Sequence, residues 1–526
     1  MQQNSYKILP IIGLEVHIEL NTSAKMFCSC PNSPDDTPNS NICPICLAYP
    51  GAIPTLNKHA IELAIQFALA TKCEIARKTS WDRKNYFYPD LPKGYQITQQ
   101  FNPIAYSGTL PGQSHVRIKQ VHLEEDAGKT VNLECAADLV GAVPHNGIDF
   151  NRAGAPLLEI VTEPDFESAK QAVNAARELQ RLVKYLGISK AILQKGHMRF
   201  EPNVNLAIAD CKNLYITPVV EVKNLNSFRN LQAAIEFEIT RQFEEFQQSP
   251  DKFRIEEVPA SCDDSKSADQ NSLLNLTDRT LYIGLSKFPK INRGFDADQC
   301  VTIFQRSKES ARDYRFFAEP DLPVLDISTS WVSQIRDSIP ELPACRSARF
   351  EKQFCIPKKS AHFLTSTKDL ADLFENSVSQ NNNFSKICVN IILGALAEVA
   401  KNQNKSIPEL KISSRDLSEI ADLVLSNKIS PNSAQKIAGE IAISGKSADQ
   451  LASELNLFLQ NDENRIANWV KQAIAENPDT VESANTPGKK QQKARTFLLG
   501  QVMKLSRSQA PAAVASKILN DLLKNN

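Results

Sequence analysis

Residues 11–20 read Ile-Ile-Gly-Leu-Glu-Val-His-Ile-Glu-Leu. Leu14, Val16, Ile18 and Leu20 alternate with Glu15, His17 and Glu19. A period of two describes a strand with one dry and one polar face, and it does not fit a helix, whose apolar positions recur every three to four residues. Side chains two apart on a strand stand about 7 Å apart on one side, so Glu15, His17 and Glu19 share a surface. Two acids around an imidazole suit a hard divalent cation such as magnesium; a solvated strand face has the same pattern. Residues 121–129, Val-His-Leu-Glu-Glu-Asp-Ala-Gly-Lys, tip the balance. Val121 and Leu123 alternate with His122 and Glu124, and the strand runs into three consecutive acids, Glu124, Glu125 and Asp126. Crowded like charges call for a cation or open water, and two acid-and-histidine strands in one chain favour the cation.

Other segments extend this surface. Leu157, Leu158, Ile160 and Val161 predict a buried strand with Glu159 inside it, and a buried acid must be paired or bound. Arg199 and Glu201 share a face of the stretch from Met198, as do Glu221 and Lys223 of the stretch from Val219. Acids on single faces of four strands (Glu15, Glu124, Glu201, Glu221) predict an antiparallel sheet whose polar side cradles a cation and a nucleotide. Arg199 and Lys223 are then placed to meet phosphate oxygens. Neither glycine-rich phosphate fingerprint is present. ATP, if bound, is held by metal and side chains.

Cys28-x-Cys30 and Cys43-Pro-Ile-Cys46 form two tight pairs, the spacing of a four-thiolate structural zinc site; four reduced thiols are the alternative. Trp81 to Ile97 mixes aromatics, charges and prolines without a period, which predicts a loop carrying Asp82, Arg83, Lys84 and Asn85. That loop either handles a polar small molecule or is merely pinned by its prolines. Helices are predicted over 57–72, from an Asp165 cap to Leu186 with Gly187 ending it, and over 369–380, 385–402, 415–426 and 492–505.

The 526 residues carry 60 basic and 60 acidic side chains, so any attraction to nucleic acid must be local. No signal-peptide pattern and no run of about 18 apolar residues is present, so no membrane span is expected. Twelve scattered cysteines fit a reducing, cytoplasmic compartment.

Several stretches together resemble one family. They are Ile12-Gly-Leu-Glu-Val-His, Phe27-Cys-Ser-Cys with Cys43-Pro-Ile-Cys, and Asp82-Arg-Lys-Asn-Tyr-Phe-Tyr-Pro-Asp. Leu123-Glu-Glu-Asp-Ala-Gly-Lys, Asp149-Phe-Asn-Arg-Ala-Gly and Glu221-Val-Lys-Asn-Leu-Asn-Ser-Phe add to them. So do Asp313-Tyr-Arg-Phe-Phe-Ala-Glu-Pro-Asp-Leu-Pro and Phe497-Leu-Leu-Gly-Gln-Val-Met-Lys. Over nearly its whole length the chain is similar to the B subunits of the aspartyl/glutamyl-tRNA(Asn/Gln) amidotransferases.

The resemblance implies an α+β fold. An antiparallel-sheet cradle similar to the catalytic half of glutamine synthetase is followed by all-helical and tail domains. It implies a carbon–nitrogen ligase that uses ATP and magnesium to phosphorylate the side-chain carboxylate of mischarged Glu-tRNA(Gln) or Asp-tRNA(Asn). Ammonia then displaces the phosphate. The implied partners are a glutamine-hydrolysing amidase subunit, a small third subunit completing a heterotrimer, and the tRNA. Carried over by motif, Glu15, His17, Glu124, Glu125, Glu201 and Glu221 form the metal and nucleotide shell. Cys28, Cys30, Cys43 and Cys46 match the family's zinc knuckle, and Lys84 matches the lining where ammonia arrives. The chain departs from the family pattern at Gln194, Lys195 and His197, at Phe200-Glu201, at Phe295 and at Ala318.

The expected domains are a cradle over 1–295, a linker and helical domain over 296–400, and a helical tRNA-binding tail over 401–526. Arg306, Lys308, Arg312 and Arg315 near Tyr314, Phe316 and Phe317 face either tRNA or an ordinary strand edge. Asn485 to Lys490 reads as a hinge. From 485 to 526 eight Lys and Arg stand against Asp521 alone, a local charge of +7 (8 − 1) suited to phosphate contacts. Two other functions fit parts of this pattern: a non-catalytic tRNA-binding scaffold, and a ligase acting on free amino acids, against which the basic tail argues.

Overall fold

The computed structural model describes residues 6–110, 112–133, 145–210, 213–255, 279–308, 314–459, 462–485, 491–506 and 509–524. The chain divides into two compact units, 1–342 and 343–526.

In the first unit, β1 (Lys7–Glu19) is the long strand predicted from the alternation. It is followed by β2 (Glu74–Ile75), β3 (Lys78–Thr79), β4 (Asp82–Asn85), β5 (Tyr95–Thr98), β6 (Ala105–Leu110) and β7 (Gln113–Glu125). Then come β8 (Lys129–Leu133), β9 (His145–Asp149), β10 (Pro156–Thr162), β11 (Met198–Ala209), β12 (Leu214–Ile216) and β13 (Val220–Lys223). Last are β14 (Lys290–Asp296), β15 (Val301–Lys308), β16 (Phe317–Ala318) and β17 (Leu325–Asp326). The main sheet has the order β15-β14-β13-β11-β1-β10-β7-β6-β2, with β12 beside β11. Its neighbours are antiparallel, as expected, except β13 and β14, which run parallel.

The dry face of β1, with Leu14, Val16 and Ile18, is fully buried together with Leu158, Ile160, Leu123 and Phe200 of the flanking strands. Helices α1 (Lys58–Ala70), α2 (Ala169–Tyr185) and α3 (Phe228–Gln248) pack against the sheet strands. Such a buried row stabilises by about 1.5–3 kcal/mol per large apolar side chain. Ser168, not Asp165, caps α2, accepting from Gln171 N at 3.3 Å. Asp165 is drawn off by Arg117, accepting from its backbone N at 2.9 Å and from Nη2 at 2.9 Å.

The expected loop at 82–85 is instead a strand, pairing with β5 and β16. Partner strands satisfy its backbone, and Glu319 holds Arg83 with a fork of 2.7 and 2.8 Å bonds. The expected cradle boundary at 295 falls inside β14. The sheet continues through β14 and β15, and the unit runs to Leu342.

Gly108 in β6 lets the sheet edge close on the turn after α1. A Cβ there would stand 2.2 Å from Cys73 Sγ and 3.0 Å from Thr71 O. Gly108→Ala is therefore expected to lower the unfolding free energy by roughly 3 kcal/mol, the upper range for overpacking. Urea titration reads this directly, and an unchanged midpoint would refute it.

Among the described residues the second unit is built of helices, as predicted. Its helices include Lys368–Val378, Ser385–Ile391 continuing through a π-turn at Ile392–Leu396 into Ala397–Gln403, Ser414–Leu425 and Pro431–Ser444. The run Asn382–Gln403 is long and apolar enough to cross a membrane by length and composition. Within this unit it packs against the helices Lys368–Val378, Ser414–Leu425 and Pro431–Ser444. The last helices, Glu463–Ala475, Pro478–Asn485, Gln491–Leu505 and Ala512–Lys524, close over a core of their own that includes Ile466, Val470, Leu498, Val502 and Leu519. Of the basic tail, Lys489, Lys490 and Arg507 lie outside the described residues, as do Arg312 and most of the 485–490 hinge.

Candidate metal and nucleotide site

Register builds the site. Across the sheet, His122 of β7 faces Glu159 of β10, Glu159 faces His17 of β1, and His17 faces Arg199 of β11. One step along, Glu15 faces Glu201, and Asn203 faces Glu221. Directly opposed residues share a face, so the polar side of the strand read from the sequence becomes a two-dimensional array.

Glu159 is its centre. Its Oε2 lies 2.6 Å from His122 Nε2 and 3.5 Å from His17 Nε2. His17 Nε2 is also 3.5 Å from Glu124 Oε1 and 3.8 Å from Glu15 Oε1. Two overlapping donor groups result: Glu15, His17 and Glu159, and His122, Glu124 and Glu159, the ligand atoms of each within 4.8 Å of one another. Octahedral ligands of magnesium at 2.0–2.1 Å stand about 3–4 Å apart, so these donors fit with small side-chain shifts. His122 Nδ1 is buried without a hydrogen-bond partner.

The electrostatics show how tightly the groups are coupled. Burial, reinforced by Glu159, pushes the Glu15 carboxyl up to about 7. Burial disfavours charge on His17, but Glu159 and Glu124 outweigh it and carry the imidazole up to about 10. Burial and Glu159 raise Glu124. Glu159 itself is held well below the usual carboxylate range because the two imidazoles overcome its burial. Protons on the histidines stand where a cation would supply positive charge, so metal binding here releases protons.

Lys84 belongs to the same site. Its Nζ lies 5.1 Å from the Tyr314 ring centre. Burial works against its charge, yet Glu124, Glu159 and Glu15 raise its pKa. The other expected residues flank the cluster. Arg199 pairs with Asp126. Lys223 bridges Glu201 and Glu221, and Lys290 also pairs with Glu221. Glu19, Lys129, Arg152, Lys195, Arg199, Glu201 and Lys223 help line a cleft of about 650 Å³. Burial and Asp126 push Glu19 up to about 7. Glu125 takes no part in either donor group: Lys93 pairs with it, and its Oε1 accepts from Ile97 N at 3.0 Å.

Glu159 and His122 are the residues that sequence reasoning leaves out of the ligand set. The lone acid in an apolar run is the signal for Glu159, and alternation with Leu123 is the signal for His122.

Cys28, Cys30, Cys43 and Cys46 converge, their sulfurs within 4.8 Å of one another. Cys43 and Cys46 Sγ are 3.9 Å apart, and Cys43 N donates to Cys46 Sγ at 3.1 Å. Tetrahedral zinc with Zn–S bonds near 2.3 Å spaces its sulfurs by about 3.8 Å, so the knuckle fits zinc. The Cys28 thiol's hydrogen bond draws Cys46 down to about 5, with Lys25 adding to it. Burial and Cys43 push Cys30 up to about 11.

The sheet cradle, with carboxylates and imidazoles brought together beside a cation-lined cleft, lies within residues 10–333, which match the family model described as the GatB/GatE catalytic domain. A second family model, described as the GatB domain, matches residues 372–523. The chain is 38% identical over 98% of its length to the aspartyl/glutamyl-tRNA(Asn/Gln) amidotransferase B subunit of Elusimicrobium minutum, covering 99% of that protein. It is 36% identical to the proteins of that name from Thermotoga neapolitana and Thermotoga maritima, over 98% of each chain. The chain belongs to the family of aspartyl/glutamyl-tRNA(Asn/Gln) amidotransferase B subunits.

Proposed function

We propose that this chain is the ATP-dependent amidating subunit of a tRNA-dependent amidotransferase, a carbon–nitrogen ligase acting on Glu-tRNA(Gln), Asp-tRNA(Asn) or both. The observation that carries the reading is the convergence of Glu15, His17, His122, Glu124 and Glu159 from three adjacent strands beside the cation-lined cleft. A carboxylate is a poor electrophile toward ammonia, and phosphorylation gives it a leaving group. Phosphoryl transfer needs mainly positioning and charge neutralisation. Glu15, His17, Glu124 and Glu159 would hold magnesium, which supplies charge neutralisation at the phosphates. Arg199, held by Asp126, and Lys223, held by Glu201 and Glu221, would face a nucleotide in the cleft.

Lys84, whose charge is favoured by Glu124, Glu159 and Glu15, orients the acyl group as ammonia arrives. The ammonia comes from a partner amidase subunit, in a heterotrimer completed by a small third subunit. Cys28, Cys30, Cys43 and Cys46 hold structural zinc. The +7 tail engages the tRNA backbone, and the complex works in the cytoplasm.

Co-expression with candidate partner subunits, followed by amidation assays on each mischarged tRNA, tests this. ATP-dependent amide formation on at least one is expected, and none on either would end the proposal. Lys84→Met is expected to lower amide formation about 100-fold, the scale of losing a group that positions a reactant, while ATP cleavage persists. Parallel loss of both would place Lys84 at the activation step instead.

A further inference from the structure

Lys25 is among the largest fully buried side chains, at 0% exposure. Its ammonium lies 3.8 Å from Cys46 Sγ and donates to Phe150 O at 3.2 Å. Among the described residues no carboxylate forms an ion pair with it. A buried ammonium whose partners are one carbonyl and the single Cys46 sulfur is incompletely paired, and that is costly, because little replaces its hydration. Four thiolates on a divalent zinc carry a net charge of −2, and that is equally costly to bury alone. The two problems cancel where they meet.

We propose that Lys25 is a positioning residue for the four-cysteine site, the counter-charge and hydrogen-bond donor to its thiolates. The proposal rests on zinc occupying that site. It extends beyond the knuckle, because Phe150 opens the segment that returns to β10. Gly154, at φ +88°, brings that segment against the knuckle: a Cβ there would lie 3.4 Å from Lys25 Cδ and 3.8 Å from Cys46 Cβ. Gly154 O accepts from Met26 N at 2.8 Å, and Gly154 N donates to Asp126 O at 2.9 Å. Lys25 thus clamps the zinc site to the strand end bearing Glu124 and to the strand bearing Glu159.

The test uses the full chain, zinc-loaded and chelator-stripped under reducing conditions, with Lys25→Met. Zinc affinity by chelator competition is expected to fall 10–100-fold with all four cysteines intact, the usual effect of losing an outer-shell partner. In the cobalt-loaded protein the sulfur-to-metal charge-transfer band moves to lower energy, because the N–H···S donor is gone. The stability changes differ between the two forms: Lys25→Met lowers the melting temperature of the zinc-loaded protein more than that of the stripped one. Lys25→Gln, which donates without charge, falls between wild type and Lys25→Met in affinity. Equal destabilisation of both forms, with affinity and band unmoved, would reduce Lys25 to packing and overturn the proposal. Wild-type affinity in Lys25→Gln would overturn the charge argument. If the knuckle binds no zinc in the wild type, the underlying zinc reading fails first and is seen separately by metal analysis.

Discussion

Glu159→Gln is expected to cut ATP-dependent amidation about 1,000-fold, a loss of roughly 4 kcal/mol in the transition state, with tRNA affinity unchanged. Glu159 is the one residue common to both donor groups. Its carboxylate touches His122 and His17, whose charges hold it ionised. The amide keeps the volume and one acceptor oxygen but removes the negative charge that both groups share. Glu15→Gln and Glu124→Gln each disturb one group, so smaller losses are expected, partly recovered at high magnesium.

The readouts separate chemistry from scaffolding. Release of ADP, amide formation and tRNA binding are measured on the same preparation, with the melting temperature as a check on folding. Retained tRNA binding with lost ADP release identifies a catalytic centre. Unchanged amidation in Glu159→Gln would leave the chain as a tRNA-presenting scaffold and place the chemistry in another subunit.

Why Glu159 joins the donor set only in three dimensions is instructive. The dyad of Leu14–Leu20 against Glu15–Glu19 is local information, and it is enough to predict β1 and its polar face. Glu159 lies more than 130 residues from His17 in sequence, and their meeting depends on register between β1 and β10. A slip of one residue would turn Glu159 into the dry face, and nothing within either strand states that register.

The same limit separates Glu125 from Glu124. Consecutive residues alternate in direction along a strand, so only one could face the cluster, and the partner that claims Glu125 is Lys93. Arg199 is legible as a cation on the right face, whereas its pairing with Asp126 is not. The misplaced boundary at 295 has a topological cause. β14 joins β13 in parallel, and parallel neighbours need a long crossover, here passing through α3. A stretch so far from its partner reads in sequence as the start of something new. The four cysteines are fully legible because two short loops carry all the ligands.

Those cysteines give the second large effect. Purified under reducing conditions, the chain is expected to carry one zinc, and Cys46→Ser or Cys28→Ser to lose it with a fall in melting temperature of about 10 °C. A structural zinc contributes on the order of 10 kcal/mol to the fold it closes, and a large domain shifts about 2–4 °C per kcal/mol. Only part of that energy is felt by the whole unit. The part that propagates is visible in the loop between the two cysteine pairs. Asn39 N donates to Asp149 Oδ1 at 3.0 Å, and Phe150 N donates to Asn39 Oδ1 at 2.8 Å. Asn41 N donates to Asn151 Oδ1 at 2.9 Å, and Asn151 Nδ2 donates to Thr37 O at 2.8 Å.

Residues 149–151 lead through Gly154 into β10, so a knuckle without metal loosens the approach to Glu159. Activity should therefore fall with zinc loss even though no cysteine lies in the carboxylate cluster. Cys73→Ser, at a buried thiol outside the knuckle, is the control that retains zinc. Metal-free wild type with an unaltered melting curve would show four ordinary thiols and remove both the zinc and its support of β10.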